Sequence, residues 1–440
     1  MNEAVTIGTD GGFNPPYAYA KPKPPGISAV VWGVAVLTVF FGAQIIQLFP
    51  SLDGVPIAKL TALVVILVFL NSKKHIAERV RLRHVPQLGL ILTMFTFAAL
   101  TVPLAFWPAE SWAYLTTFYL KNVVFVYLLV QAAKTDRDSR LIIGALIAGA
   151  AALVLAMLAN FGPLVTYKTE PGRMAIGDTY DPNDLALLFV VILPFAFFMV
   201  KSSKPVVRVL LILSIAILLI GIVLSESRGG FLALIAVALM IFLRASKQAK
   251  KYILLTVLLS VGLFRVAAPP SFWARIDTIY RIDGDYNLSD AGGRISIWKI
   301  GIKMFARSPI TGIGIGCFQD GHAALSESHL AKAAHNSFLQ AATELGVPGL
   351  GLFIAILISS AIAAARVRSR ARAGEIDATF LWFSSALEVS LFGFVVGGFF
   401  LSHAYSPIFC FLVGMSASLA ARFKGAERHQ LTHREVIDYA

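Results

Sequence analysis

The residues of this 440-residue chain that could do chemistry are few, and they stand at the ends of long apolar runs. Ser225-Glu226-Ser227-Arg228-Gly229-Gly230 closes one run and opens the next. Free amides at a helix start, a fixed cation and glycines that let backbone come close make an anion site. A guanidinium suits phosphate in particular, because it stays charged and offers a planar, two-pronged donor. Arg294 begins the segment RISIWKIGIKMFAR, residues 294–307. On a helical wheel Lys299, Lys303 and Arg307 form a basic stripe there. Ile295, Trp298, Ile302 and Phe305 form an opposite apolar side, as in a helix lying on a membrane surface. Arg294 falls on the apolar side, where a cation needs a partner. His335, followed by Asn336 and the helix-like run SFLQAATELG, supplies a proton acceptor. Imidazole titrates near ~6.5, and guanidiniums around it favour the neutral form. These residue types describe an anion clamp beside a base.

The elements that must position them are membrane helices. With 57% apolar residues, 14% charged residues and a mean hydropathy of +0.74, the chain reads as an all-α polytopic membrane protein. Secreted, disordered and disulfide-framework classes are excluded. Apolar runs near 28–49, 56–71, 87–107, 112–131, 141–160, 184–200, 206–223, 230–243, 252–268, 349–365, 379–400 and 404–421 predict about twelve transmembrane helices. The net charge of +13 is a topological signal here: 25 of the 38 Lys and Arg residues fall on one side of these spans, which makes both termini cytoplasmic. Arg173, Asp181, Arg228, Arg294, His335 and His403 then share the external face. Cations there run against the orientation bias and call for another reason.

Four segments follow from this topology. Residues 1–27 form a Pro-rich cytoplasmic tail retained in the mature protein, and 28–205 an N-terminal transmembrane bundle. Residues 206–365 form a core that includes the external loop 269–348 with its amphipathic helices, and 366–440 two last spans with a cytoplasmic tail. Charge within spans is sparse. Lys121 and Glu388 each stand deep inside one and are candidates to pair.

Other patterns fail on their own terms. The alternating glycines of residues 308–316 (SPITGIGIG) lack the preceding strand and βαβ unit of a dinucleotide loop. They read as a tight connection that lets backbone approach something large. Residues 283–290 (DGDYNLSD) begin like a calcium loop, but Leu288 stands where glycine is needed and Arg294 where glutamate is needed. The external segments hold no His-x-x-x-His or Cys-x-x-Cys pair, so no metal site is expected. Cys410 lies inside an apolar run and Cys317 in a polar stretch, which predicts two free thiols. His322, His329 and His403 read individually as ordinary loop histidines.

Three segments in order, SESRGGFLALIAVAL, GGRISIWKIGIKMFARSPITGIGIGCF and HNSFLQAATELGVPGLGLF, resemble the O-antigen ligase and polymerase family of bacterial membrane glycosyltransferases over residues 206–365. The resemblance implies an inner-membrane enzyme that needs neither metal nor cofactor. It would work at the periplasmic face on a glycan carried by undecaprenyl pyrophosphate and invert the anomeric centre. Its partners would be that donor, an acceptor on lipid A core or a second lipid-linked glycan, and membrane lipids, with no nucleic acid. Carried over residue by residue, the family's external histidine is His335, the catalytic base. Its pyrophosphate-binding arginines are Arg228 and Arg294, with Arg173 the candidate for another near the outer end of an earlier span. Asn336, Asp181 and Gly229 take supporting places, and Tyr180-Asp181-Pro182-Asn183-Asp184 looks like a family feature. Pyrophosphate is a good leaving group, so fixed cations can stabilise its developing charge.

Ligation to lipid A core is preferred over polymerisation, because a polymerase acceptor brings its own pyrophosphate and would want a further cationic site. Twelve spans with both ends inside also describe secondary transporters, whose polar sites lie near the midplane. An assay that scores glycan transfer separately from flux divides these classes.

Overall fold

The computed structural model describes residues 26–44, 57–72, 79–80, 85–159, 181–244, 250–251, 273, 293–327 and 329–438. Every regular element among them is helical. In chain order these are α1 (Ala29–Ala43), α2 (Ile57–Asn71), α3 (Pro86–Thr101), α4 (Pro108–Ala132), α5 (Asp136–Leu158), α6 (Pro182–Val200) and α7 (Pro205–Leu224). They continue with α8 (Arg228–Arg244), α9 (Arg294–Arg307), α10 (Phe318–Leu325), α11 (Ser337–Arg372), α12 (Thr379–Gly398) and α13 (Pro407–Asp438). Eight candidate spans, built on α3 to α7 and α11 to α13, are long and apolar enough to cross a membrane. The chain is the all-helical, polytopic membrane protein that its composition predicts. Of the other four expected spans, α1, α2 and α8 are shorter apolar helices, and 252–268 lies outside the described residues.

Helix ends follow from local chemistry. Helices α3, α4, α6 and α7 open on proline, whose missing N–H would find no partner in a first turn. Thr135 and Asp181 close capping boxes with Asp138 and Asp184, which fixes the starts of α5 and α6. The face a helix buries depends instead on its neighbours. Helices α6 and α12 pack on one another with α8 against both, and every residue from Leu185 to Ala196 is buried. Helix α7 is equally apolar, yet Val206, Val209, Leu210, Ile212 and Leu213 are exposed, the side that a bilayer covers.

Helix α11 is broken near one end. Gly346 adopts φ +67° and ψ −165°, with Pro348 just beyond it. The break takes carbonyls out of the helical ladder, and the glycine loop before α10 answers them. Ile313 and Gly314 donate their N–H groups to the carbonyls of Thr343 and Glu344 at 3.0 and 3.1 Å, and the Val347 N–H reaches the Pro309 carbonyl at 2.8 Å. A Cβ at Gly312 would overlap the Glu344 carbonyl, so the large object these glycines approach is the chain's own α11.

Helix α9 spans residues 294–307 as predicted, but its buried side is Ile297, Ile300, Gly301 and Met304. Ile295, Trp298 and Phe305 are half-buried, and Ile302 is exposed beside Lys299 and Lys303. The helix therefore has two apolar sides, one seated on α10 and α11 and one left for a membrane surface, with the basic stripe completing its circumference.

At the end of the bundle where α11 stops and α12 starts, arginines are held by acids. Glu388 receives Arg244 and Arg368, each at 2.6 Å. Arg370 reaches Glu427 at 2.7 Å, and Asp136 accepts from Arg140 and from the Trp382 indole. Lys121 and Glu388, candidates to pair, do not do so. Helix α4 packs on α13 and α3, which leaves Lys121 on its exposed side, while two arginines from α8 and α11 reach Glu388. Both cysteines are free and buried. A double-mutant cycle on thermal stability should give a coupling of at least about 1 kcal/mol between Glu388 and Arg368 and none resolvable between Glu388 and Lys121. Glu388→Ala should accordingly lower the unfolding midpoint in detergent more than Lys121→Ala does.

Candidate active site

His335 holds a left-handed backbone, φ +46°, which few residues other than glycine adopt without support. Its N–H donates to Ser402 Oγ at 2.8 Å. The next residue, Asn336, caps α11 by accepting the N–H groups of Phe338 and Leu339. Ser337 Oγ donates to the Leu401 carbonyl at 2.6 Å and accepts the His403 N–H at 2.9 Å. Gln340 Oε1 accepts the Ala404 N–H at 3.2 Å. The start of α11 is thereby laced to the turn between α12 and α13. Helix α9 joins through its Trp298 indole, which donates to the Ala334 carbonyl at 3.0 Å.

Arg294 of the predicted clamp comes to this turn, and the helix start that carries Arg228 packs against it through Gly229. The Arg294 guanidinium lies 5.8 Å from the Phe400 ring centroid, within cation–π range. Arg228 opens α8, and the adjoining Gly229 packs against the same Phe400, where an added Cβ would stand 3.3 Å from the Phe400 Cβ. Ser227 sets this helix start: its Oγ accepts the Gly230 N–H at 3.0 Å and donates to Asn183 Oδ1 at 2.7 Å. That bond carries the site to the start of α6. There Asp181 accepts the N–H groups of Asn183 and Asp184, and Asp184 Oδ1 meets His403 Nε2 at 2.9 Å.

The electrostatics favour a neutral imidazole. Burial pushes the His335 pKa below its ordinary value, and the charges of Arg294 and Lys332 push it further. The carboxylates of Asp181 and Asp184 pull the other way. The ring's Nδ1 is buried and makes no hydrogen bond among the described residues. A half-buried imidazole with a ring nitrogen unused, beside a guanidinium, can accept a proton from a nucleophile while an anion is held close by.

His335, Arg294, Gly229 beside Arg228, and Asp181 thus meet around residues 399–406. Arg173 lies outside the described residues. Asn336 and Asp181 are seen as helix caps, and Asp181 also acts through its charge on His335. Phe400 and Ser402 were not foreseen. Their signal is the polar break Ser402-His403-Ala404-Tyr405-Ser406 between two apolar runs, which hydropathy reads only as a turn. Among the described residues, no three His, Cys, Asp or Glu side chains gather closely enough to hold a metal ion.

Residues 213–354 match the family model described as O-antigen ligase. The matched stretch contains Arg228, Gly229, Arg294, His335 and Asn336, and it bears out the resemblance read from the sequence. No curated protein matches the chain.

A reaction that uses His335 as its base should hold its rate to a pH below the ordinary imidazole value of ~6.5. Arg294→Gln should move that acid limb upward, since removing a positive charge stabilises imidazolium. Rate–pH profiles of parent and variant, taken at saturating donor, check the sign; a downward shift would contradict the placement.

Proposed function

We propose that this chain, which carries the core of the O-antigen ligase family, moves a glycan from undecaprenyl pyrophosphate onto a sugar hydroxyl at the periplasmic face of the inner membrane. The family supports ligase-like or polymerase-like glycosyl transfer. The observation that carries the finer reading is the seating of a half-buried histidine and an arginine on one turn, with the Arg294 charge acting on His335. Residues 206–365 form the catalytic core in this reading, and the end of the bundle with Arg244, Arg368 and Arg370 faces the cytoplasm.

The step needs two things from the protein. The hydroxyl proton passes to His335 as the hydroxyl oxygen attacks the anomeric carbon from the side opposite the pyrophosphate. The carbon–oxygen bond to pyrophosphate breaks with its electron pair, and Arg228 and Arg294, with Arg173 as a third candidate, stabilise the charge that develops there. Asp181, Gly229 and Asn336 support this set from the starts of α6, α8 and α11. The products are a glycoside of inverted configuration and free undecaprenyl pyrophosphate. Lipid A core is the favoured acceptor, because one compact set of arginines and a histidine answers a single pyrophosphate.

His335→Gly is the most informative variant, since glycine accepts the left-handed backbone that histidine holds here. It should fold as the parent does and lose about 10²- to 10⁴-fold in transfer, with partial recovery on adding imidazole. Undiminished transfer would remove the base assignment. Arg228→Lys and Arg294→Lys should be severely impaired although charge is kept, whereas Arg307→Lys, on the basic stripe of α9, should be mild. Deletion in the native host, with glycans resolved by size, decides the acceptor. Long glycans accumulating on undecaprenyl pyrophosphate with bare lipid A core indicate ligation; single repeat units alone indicate that a polymerase was lost.

A further inference from the structure

Two imidazoles of this site, rather than one, end in a nitrogen that nothing answers. His335 Nδ1 and His403 Nδ1 are both buried without a hydrogen-bond partner among the described residues. The two residues are neighbours through reciprocal backbone bonds, the His335 N–H to Ser402 Oγ at 2.8 Å and the His403 N–H to Ser337 Oγ at 2.9 Å. His403 is 6% exposed. Its Nε2 meets Asp184 Oδ1 at 2.9 Å, and Asp184 Oδ2 accepts the Asp181 N–H at 3.2 Å. A carboxylate only accepts, so Nε2 carries a proton, and in the neutral ring Nδ1 then carries the lone pair.

A tie serving only to join α6 to the turn would use Nε2 and Asp184 and would give Nδ1 nothing to do. Buried ring nitrogens without a partner are rare and unfavourable, and two at one turn call for a ligand that can hydrogen-bond. A sugar offers several hydroxyl donors on one ring. We infer that His403 binds the acceptor sugar: its Nδ1 accepts a hydrogen bond from a hydroxyl other than the reacting one, while His335 serves the hydroxyl that attacks. This rests on the transfer reading above. Asp184 is then a positioning residue, fixing the His403 tautomer. Acceptors lacking the second hydroxyl leave a buried nitrogen unanswered, a mismatch that discriminates strongly.

The test uses the purified full chain, lipid-linked glycan as donor, and lipid A core saccharide or its monodeoxy analogues as acceptor. His403→Gln keeps an amide to donate to Asp184 and removes the acceptor at Nδ1. It should retain the parent's unfolding midpoint and donor KM while raising the acceptor KM about tenfold. The parent should lose a similar factor with one monodeoxy acceptor, and the variant should be indifferent to that same deletion. His403→Asn, which places an oxygen near the Nδ1 position, should recover part of the discrimination. An unchanged acceptor KM in His403→Gln, or a deoxy profile identical to the parent's, overturns the inference. So does an equal fall in midpoint and kcat with no change in acceptor KM. If His403→Gln does not fold, Asp184→Asn replaces it: an amide donating to Nε2 moves the ring proton to Nδ1, and discrimination that survives this change overturns the inference as well. A parent that transfers no glycan overturns the transfer reading, and the inference with it. An active parent beside an unaffected His403→Gln overturns the inference alone.

Discussion

A helix that leaves the hydrocarbon cannot leave its carbonyls unanswered, and the break at Gly346 meets that constraint with backbone from elsewhere in the chain. The N–H groups of Ile313 and Gly314 replace the ladder partners that Thr343 and Glu344 lose, and the Pro309 carbonyl takes the Val347 N–H. Because the repair is made by a loop, the loop is fixed as firmly as a helix turn. It packs with α9 and α10 through Ile313, Met304 and Phe318. The buried Glu344 carboxylate adds to this by accepting the Phe318 N–H at 3.3 Å at the start of α10. The first turns of α11, freed from the direction of the membrane segment, can then present His335. One glycine and its repair thus determine where His335 stands and where α9 sits, and α9 brings Arg294.

The turn between α12 and α13 completes what the break begins. No side chain of the site is placed by its own helix alone: His335 leans on Ser402, Arg294 and Gly229 on Phe400, and Asp184 on His403. Four helix starts, those of α6, α8, α9 and α11, are referred to one short segment. Held this way, groups that stabilise charge need little rearrangement when it develops, which is the condition under which fixed dipoles and cations are most effective. The left-handed backbone of His335 belongs to the same economy of fixed parts. It is a conformation that a loop histidine holds when its surroundings over-determine it.

What could be read from the sequence was local, and what could not was long-range. The stretch 294–307 with its charge stripe is α9, and the helix-like run after Asn336 is the first part of α11. Helix α8 starts at Arg228, two residues before the expected bound of 230 and inside the Ser-Glu-Ser-Arg-Gly-Gly corner. The buried side of α9 was misplaced because the helix has two apolar sides, and spacing cannot tell protein from lipid. The same ambiguity covers α6 and α7, nearly equal in apolarity, one enclosed and the other facing outward. In a soluble protein a polar stripe would separate the two cases; in a membrane helix both sides are apolar and the periodic signal is lost. The partners of Glu388 are hidden from the sequence for a related reason. Depth along a span can be counted, but which helix stands beside it cannot, and Arg244 and Arg368 come from two helices distant in sequence.

The two ends of the bundle set their charged residues in different surroundings. Where α11 ends, Arg244, Arg368 and Arg370 meet carboxylates directly, and their charge is largely consumed in holding helices together. At the other end the acids nearest the site are turned to different work. Asp181 accepts backbone N–H groups at the start of α6, and Asp184 takes the Asp181 N–H and His403. The Arg294 guanidinium also lies over an aromatic ring, 5.8 Å from the Phe400 centroid. The face of a ring attracts a guanidinium through its quadrupole and orients it. That contact ties the first residue of α9 to the turn between α12 and α13, so the segment that receives the His335 N–H also seats Arg294.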